Sequence, residues 1–199
     1  MKDFWNDRYK DADYAYGTEA NDFLKESSQR LKPNGKILCI AEGEGRNAVF
    51  LAKMGFDVTA MDLSSEGIYK ARKLAQKNNV SMTTIVSDLT TFNFGTEKWD
   101  GIISIFGHLP SIIRRPVYER AIQSLKINGL FIMEAYTPEQ LELNTGGPKD
   151  LDMLLTEQII HQELGKLRQV FLKKSRRTIH EGKFHNGESS TLQFIGQRV

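Results

Sequence analysis

The chain has 199 residues with 27 lysines and arginines against 25 aspartates and glutamates, so its formal net charge is only +2. A charge this small does not indicate a nucleic-acid or membrane partner, and no apolar run reaches the roughly 18 residues of a membrane span. The one cysteine, Cys39, excludes a disulfide framework, and its place in an apolar run predicts a core residue. The N-terminus lacks the apolar stretch of a signal peptide, so we expect one cytoplasmic domain.

The beginning of the chain predicts a helical leader rich in aromatic and basic residues. Trp5, Arg8 and Tyr9 have the spacing of one face of a short helix, and a second helical stretch covers about 20–31. Such a leader can pack against the edge of a sheet or fold over a bound cofactor. Composition leaves both possibilities open.

A short apolar run that ends in glycines organises the rest of the chain. Residues 37–40 predict a buried strand, Gly43 and Gly45 end it, and a helical pattern follows directly. Because glycine has no Cβ, such a turn lets the backbone approach a nucleotide-like ligand closely. The next apolar segment ends in Asp62, whose carboxylate is placed to accept hydrogen bonds from a ribose.

Strand and helix patterns then alternate along the chain. They predict a helix capped by Ser64, strands over 80–86, 99–106 and 130–136, a helix with Pro116 in its first turn, a helix over 151–164, and β-like runs over 170–179 and 190–195. The alternation favours a mostly parallel sheet between helices, followed by an antiparallel hairpin. We expect the basic run 173–177 to be a solvated sheet edge and His185, in the hairpin turn, to be exposed.

Charge separates two classes of nucleotide-like ligand. The segment from Gly43 to Ala48 satisfies the dinucleotide fingerprint G-x-G-x-x-A, which alone is a weak signal. Glu42 and Glu44, however, would repel a diphosphate at this turn. The cationic S-adenosylmethionine (SAM) suits them better. A second carboxylate, Asp88 after the third strand, can receive an adenine amino group while the next backbone N–H supplies a ring nitrogen.

Together these stretches resemble the class I SAM-dependent methyltransferases, in particular the small bacterial tellurite-resistance type. The matching segments are 5–9, 16–17 with Asn21, 41–47, 62–64, 88–89, 104–110, 134–136 and 146–148. Cys39 and Ala41 depart from the usual pattern, which has an acid and a glycine there, and Glu42 falls between the positions of the first two glycines.

The resemblance implies an α/β fold with a Rossmann-like, mostly parallel seven-stranded sheet, a C-terminal antiparallel hairpin and helices on both faces. It implies a single domain over 1–199, with a leader or lid over 1–34, a nucleotide-binding core over 35–137 and a C-terminal helix and hairpin over 138–199.

The resemblance also implies which residues hold SAM and its product S-adenosylhomocysteine. They are Arg8, Tyr16, Asn21, Glu42, Gly43, Gly45, Arg46, Asn47, Asp62, Leu63, Ser64, Asp88, Leu89, Ser104, Ile105 and Phe106. Gly43 and Gly45 would approach the methionine part, Asp62 the ribose, and Asp88 with Leu89 the adenine. For Arg46 we favour the cofactor carboxylate. Arg8, Tyr16 and Asn21 are lid candidates, and 104–106 would supply backbone near the sulfonium.

The methyl acceptor is less defined by the sequence. Alignment of the reacting groups is the main task of the enzyme, and an amine or hydroxyl acceptor would also profit from a base. His108 and Tyr136, which follow the fourth and fifth strands, are candidates for orienting the acceptor or for that base. We expect a small-molecule acceptor, no metal, no nucleic-acid or membrane partner, and a monomer or homodimer. The alternatives are a nicotinamide-dependent oxidoreductase and a SAM-binding regulatory module without turnover.

Overall fold

The computed structural model describes all 199 residues, and a seven-stranded sheet forms its centre. The strands are β1 (Lys36–Ile40), β2 (Asp57–Asp62), β3 (Thr83–Val86), β4 (Trp99–Ile105), β5 (Leu125–Tyr136), β6 (Arg168–Glu181) and β7 (His185–Gln197), in the order β3-β2-β1-β4-β5-β7-β6. Strands β1 to β5 pair in parallel, whereas β7 is antiparallel to both β5 and β6. The predicted parallel sheet with a C-terminal hairpin is confirmed.

Helices cover both faces of this sheet. They are α1 (Lys2–Tyr9), α2 (Asp22–Ser27), α3 (Arg46–Lys53), α4 (Ser65–Lys77), α5 (Ser111–Ser124), α6 (Gln140–Leu143) and α7 (Glu157–Leu164), with 3-10 turns at Ser28–Arg30 and Leu151–Met153. No helix combines the length and the apolar character that crossing a membrane requires.

Strand alternation explains the two cores, because successive side chains of a strand point to opposite faces. Leu38 and Ile40 of β1 join a cluster with apolar residues of α5 and α7. Ile37 and Cys39 join a second cluster with residues of α2 and α3. Cys39 is fully buried there, as predicted for a core residue, and burial raises the pKa of its thiol.

Several boundaries differ from the sequence prediction. The helix predicted over 151–164 is a 3-10 turn followed by α7, and β7 begins at His185 instead of 190. Helix α5 begins at Ser111, so Pro116 lies inside it and not in its first turn. The exposed position of Ile112 makes the missing backbone hydrogen bond tolerable, because water can reach that turn. Strand β5 begins at Leu125, before the predicted start at Leu130, and its pairing with β4 shifts register between these two residues.

The strand order sets the position of a ligand site. Strand β2 lies on one side of β1 and β4 on the other, so the connections that follow β1 and β3 lead to opposite sides of the sheet. Such a switch point leaves a crevice outside the carboxyl ends of the strands, where open α/β sheets bind their ligands.

Candidate active site

A cavity of about 620 Å³ occupies this crevice. The size is typical of small-molecule sites. Among the predicted cofactor residues, those that line it are Arg8, Tyr16, Glu42, Arg46, Asn47, Asp62, Leu63, Asp88, Leu89, Ile105 and Phe106. The candidate His108 lines it as well, together with the loop 146–150 and the hairpin residues Phe184 and His185.

Two residues at the cavity take a backbone conformation that is unusual for their type. Ala41 follows β1 with a φ of 49°, and Phe106 follows β4 with a φ of 53°. Left-handed conformations of non-glycine residues cluster at functional sites. Ala41 has the conformation expected at the position where the family pattern has its first glycine.

The side chain of Glu42 caps the N-terminus of α3. Its Oε1 accepts hydrogen bonds from the backbone N–H groups of Asn47 and Ala48, at 2.9 and 2.8 Å. Its Oε2 makes no hydrogen bond within the chain and is not a fully buried atom. Desolvation raises the pKa of Glu42 to about 7, although the hydrogen bonds from Ala48 and Asn47 and the charge of Arg46 oppose that rise. A protein carboxylate therefore fills the position where dinucleotide folds bind a pyrophosphate.

The two aspartates at the strand ends lie in the same cavity. Asp62 accepts hydrogen bonds from the N–H groups of Gly43 and Ser64, each at 2.8 Å, and one lone pair on each oxygen remains. Burial raises its pKa. Asp88 binds Thr90 through Oδ1 only, and the backbone N–H of Leu89 makes no hydrogen bond within the chain. Asp62 and Asp88 therefore retain acceptors, and Leu89 a donor, for a ligand.

The charges of Glu44 and Arg46 are already compensated. Glu44 pairs with Lys70 of α4 at 2.5 Å, so of the two acidic neighbours of the glycines only Glu42 offers a free oxygen. Arg46 donates to Glu181 at 2.6 Å and to the backbone carbonyl of Glu19 at 3.2 Å. The predicted role of Arg46 toward a cofactor carboxylate competes with this buried ion pair.

Several predicted cofactor residues do not line the cavity because packing uses them. These are Asn21, Gly43, Gly45, Ser64 and Ser104. Asn21 caps α2 and donates to the buried carboxylates of Glu134 and Glu181. A Cβ on Gly45 would lie 2.6 Å from that of Ala71 in α4, so this glycine permits helix packing.

Ser64 caps α4, as predicted, and its hydroxyl contacts Asn6 of the leader. Gly43 is covered by the leader, because a Cβ there would lie 2.6 Å from the hydroxyl oxygen of Tyr9. Ser104 is buried within β4.

The first part of the leader, with α1, lies at the cavity, whereas α2 packs in the second core cluster of the sheet. Trp5 stacks on Tyr9 with ring centroids 5.6 Å apart, and both line the cavity. Arg8 lies over the ring of Phe184 at 3.8 Å and donates to the hydroxyl of Tyr16 at 3.4 Å. The leader thus contacts the hairpin turn across the opening.

The two predicted catalytic candidates have restricted chemistry. Nε2 of His108 accepts a hydrogen bond from the backbone N–H of Tyr136 at 3.0 Å, so its lone pair is not free to take a proton from an acceptor. Desolvation lowers the pKa of His108 to about 3. Tyr136 does not line the cavity, and its buried hydroxyl has no hydrogen-bond partner.

The prediction that His185 is exposed is wrong. The hairpin turn is shorter than expected, and His185 pairs with Glu181 in the ladder between β6 and β7. Its imidazole is buried and lines the cavity. The basic edge strand is also only partly solvated, because Arg177 pairs with the fully buried Glu134. A histidine four residues after a glutamate around a glycine turn is the only local signal of this arrangement.

Known methyltransferases share sequence with this chain. Residues 37–129 match the model of a methyltransferase domain family. The chain is 31% identical over 106 residues to the uncharacterized methyltransferase YbaJ of Bacillus subtilis, covering 52% of this chain and 41% of YbaJ. It is 33% identical over 86 residues to the probable SAM-dependent methyltransferase TehB of Haemophilus influenzae, covering 40% of this chain and 30% of TehB.

Solved structures extend the likeness beyond the matched segment. The crystal structure of TehB from Haemophilus influenzae superposes with a TM-score of 0.73 at 16% identity, covering 100% of this chain and 67% of that one. The chain resembles the class I SAM-dependent methyltransferases and has their fold. A structure from work on conversion of a disulfide bond into a thioacetal group in echinomycin biosynthesis gives a TM-score of 0.80 at 14% identity, covering 100% and 92%. The sequence matches span less than half the length of the curated relatives YbaJ and TehB.

Proposed function

We propose that this protein is a SAM-dependent methyltransferase that acts on a small-molecule acceptor. The observation that carries the proposal is the carboxylate of Glu42 at the N-terminus of α3. Because Oε1 already satisfies the N–H groups of Asn47 and Ala48, a diphosphate would find this helix end occupied by a negative charge. A cationic ligand would instead be attracted to the free Oε2.

The remaining polar groups of the cavity suit an adenosyl compound. Asp62 would accept from the ribose hydroxyls, and Asp88 with the N–H of Leu89 would hold the adenine. Glu42 would face the ammonium of the methionine part. When bound, SAM supplies a methyl group that its sulfonium has already activated.

The chain's own residues would provide orientation and exclude water. The left-handed turn at Phe106 brings backbone of the β4 end to the cavity wall. The leader, through Trp5 and Tyr9, covers the glycine turn, and Arg8 bridges to Phe184. Such enclosure supports alignment of reacting groups. It also favours a small acceptor over a polymer.

Calorimetry and product analysis test this function. We expect SAM and S-adenosylhomocysteine to bind one site per chain, and NADH not to bind. We also expect homocysteine-containing product to form from SAM with a member of a panel of thiols, amines, selenite and tellurite. Binding of NADH without SAM would support the oxidoreductase alternative. Tight SAM binding without turnover on any acceptor would support a regulatory module.

A further inference from the structure

One end of the cavity is an aromatic cluster centred on His185. Its imidazole lies 4.5 Å from the ring of Tyr16, 4.8 Å from that of Phe106 and 5.3 Å from that of Tyr136, measured between centroids. Phe106 follows the carboxyl end of β4. The cluster is therefore apolar, polarisable and adjacent to the strand end that faces the cavity.

The two ring nitrogens of His185 have different surroundings. Nδ1 is buried and lies 3.7 Å from Oε2 of Glu181, close to a hydrogen-bonding position. Nε2 makes no hydrogen bond within the chain and is not among the fully buried unpartnered atoms. Glu181 is itself held by Arg46 and Asn21. A carboxylate beside Nδ1 favours the tautomer that leaves a lone pair on Nε2.

Burial favours the neutral form of His185. Desolvation lowers its pKa, and Arg46 and Arg8 lower it further, while Glu181 raises it. The titratable groups that face its ring are Tyr16 of the leader, Arg8 of α1, Arg46 of α3, His108 after β4, Tyr136 of β5 and Glu181 of β6. Of the two histidines in the cavity, His108 has its Nε2 lone pair engaged and His185 does not.

Building on the proposed function, we propose that the methyl acceptor is an organic thiol and that Nε2 of His185 is its general base. The S–H proton moves to Nε2, and the resulting imidazolium is paired with Glu181. The electron pair of the S–H bond stays on the acceptor sulfur and forms the new S–C bond. That bond replaces the donor C–S bond, whose electrons remain on the donor sulfur. The proton then leaves His185 for water.

The surroundings select a thiol over other protic acceptors. A thiol has a pKa of about 8.5, within reach of an imidazole, and the thiolate is the reactive form. An aliphatic hydroxyl has a much higher pKa, so the same imidazole removes its proton less readily than that of a thiol. An alkylammonium would need a free carboxylate at this end of the cavity, but Glu181 is already paired with Arg46 and the free oxygen of Glu42 is assigned to the cofactor ammonium.

A binding experiment on the wild-type protein tests the ionisation without turnover. Benzyl mercaptan is added to the complex with S-adenosylhomocysteine, and thiolate ultraviolet absorbance is followed against pH. We expect thiolate to form at least one pH unit below the pKa of the free thiol, and His185→Asn and His185→Gln to abolish that shift. His180→Asn is the matched control, because His180 is exposed on the same hairpin and its side chain hydrogen-bonds to Asn186. An unshifted thiol pKa, or no binding of the thiol, would overturn the proposal.

A kinetic experiment separates the base from a structural role. Benzyl selenol has the same shape as benzyl mercaptan but is ionised at neutral pH. We expect His185→Asn to lower kcat/KM for the thiol by about 100-fold, as for loss of a general base, and to change kcat/KM for the selenol less than about threefold. Equal losses for both probes would show a structural role and refute the assignment.

The two levels of proposal fail differently. If calorimetry shows no binding of S-adenosylhomocysteine to the wild type, the methyltransferase function itself is refuted. If that ligand binds but the thiol does not ionise, only the acceptor class and the role of His185 are refuted.

Discussion

The substitution Glu42→Gln isolates the charge on which the proposed cofactor depends. Glutamine keeps a side-chain oxygen that can accept from the N–H groups of Asn47 and Ala48, so the cap of α3 is preserved. It removes only the negative charge facing the cavity. A hydrogen bond to a charged group contributes about 1.5–3 kcal/mol. SAM affinity should therefore fall roughly 10- to 100-fold where Glu42 is ionised.

The pH dependence makes this prediction specific. The pKa of Glu42 is raised to about 7, so the carboxylate is mostly charged above pH 8 and mostly neutral below pH 6. Calorimetric titrations should show wild-type affinity for SAM rising through pH 7, while the variant shows no such rise. The two proteins should bind equally below pH 6. A loss of affinity that persists unchanged at pH 5.5 would refute the electrostatic reasoning.

Thermal stability provides the control, because ionisation of Glu42 should strengthen SAM binding but lower the stability of the fold. The folded-state pKa of Glu42 exceeds the usual glutamate value, so the unfolded chain binds fewer protons between pH 4.5 and 7. This carboxylate therefore costs stability progressively as pH rises through that interval. Glu42→Gln should have a Tm equal to or above that of the wild type at pH 8. Glu44→Gln should show the reverse pattern, with a lower Tm from the lost pairing with Lys70 and SAM affinity within threefold of the wild type.

Three other substitutions test the remaining assignments. Asp62→Asn should weaken SAM at least tenfold by calorimetry, because it removes half of the acceptors for the ribose; unchanged affinity would exclude Asp62 from the site. Tyr136→Phe should leave Tm unchanged or slightly higher, since the lost hydroxyl has no partner; a large loss would reveal an unseen contact. Arg177→Ala should cost about 3 kcal/mol in denaturant unfolding, because it leaves Glu134 buried and unpaired, whereas the exposed Lys173→Ala should cost almost nothing.

Local patterns were sufficient to predict most of the fold. Alternating apolar residues, the glycine turn and the caps are encoded within a few positions of one another, so the predicted bounds of β1 to β4 lie within a few residues of the observed ones. Pro116 is an exception, and its cause is not local. A proline normally marks the first turn of a helix, but an exposed turn tolerates it later, and exposure of that turn depends on tertiary packing.

The sequence predicts only those site residues that lie at the ends of strands. The sequence places Asp62 at the end of one predicted strand and Asp88 just after the next. These two strands pair in parallel, so both aspartates reach the same cavity. The ion pair between Glu44 and Lys70 joins two different elements, so no local sequence pattern predicts it. The burial of His185 likewise depends on a leader, a glycine turn and a hairpin that meet only in three dimensions.

Pairing with basic side chains determines which acidic groups of the cavity remain available to a ligand. Glu44 and Glu181 are each held by a basic side chain, whereas Glu42 keeps one oxygen without a partner. The glycine turn thus presents one carboxylate oxygen without a partner, and the aromatic end of the cavity presents an imidazole whose Nε2 makes no hydrogen bond within the chain. The first can attract a cationic cofactor, and the second can take a proton from a neutral acceptor without repelling that cofactor. Because these two groups lie on separate elements, α3 with its turn and the β6–β7 hairpin, substitutions should separate cofactor affinity from acceptor chemistry.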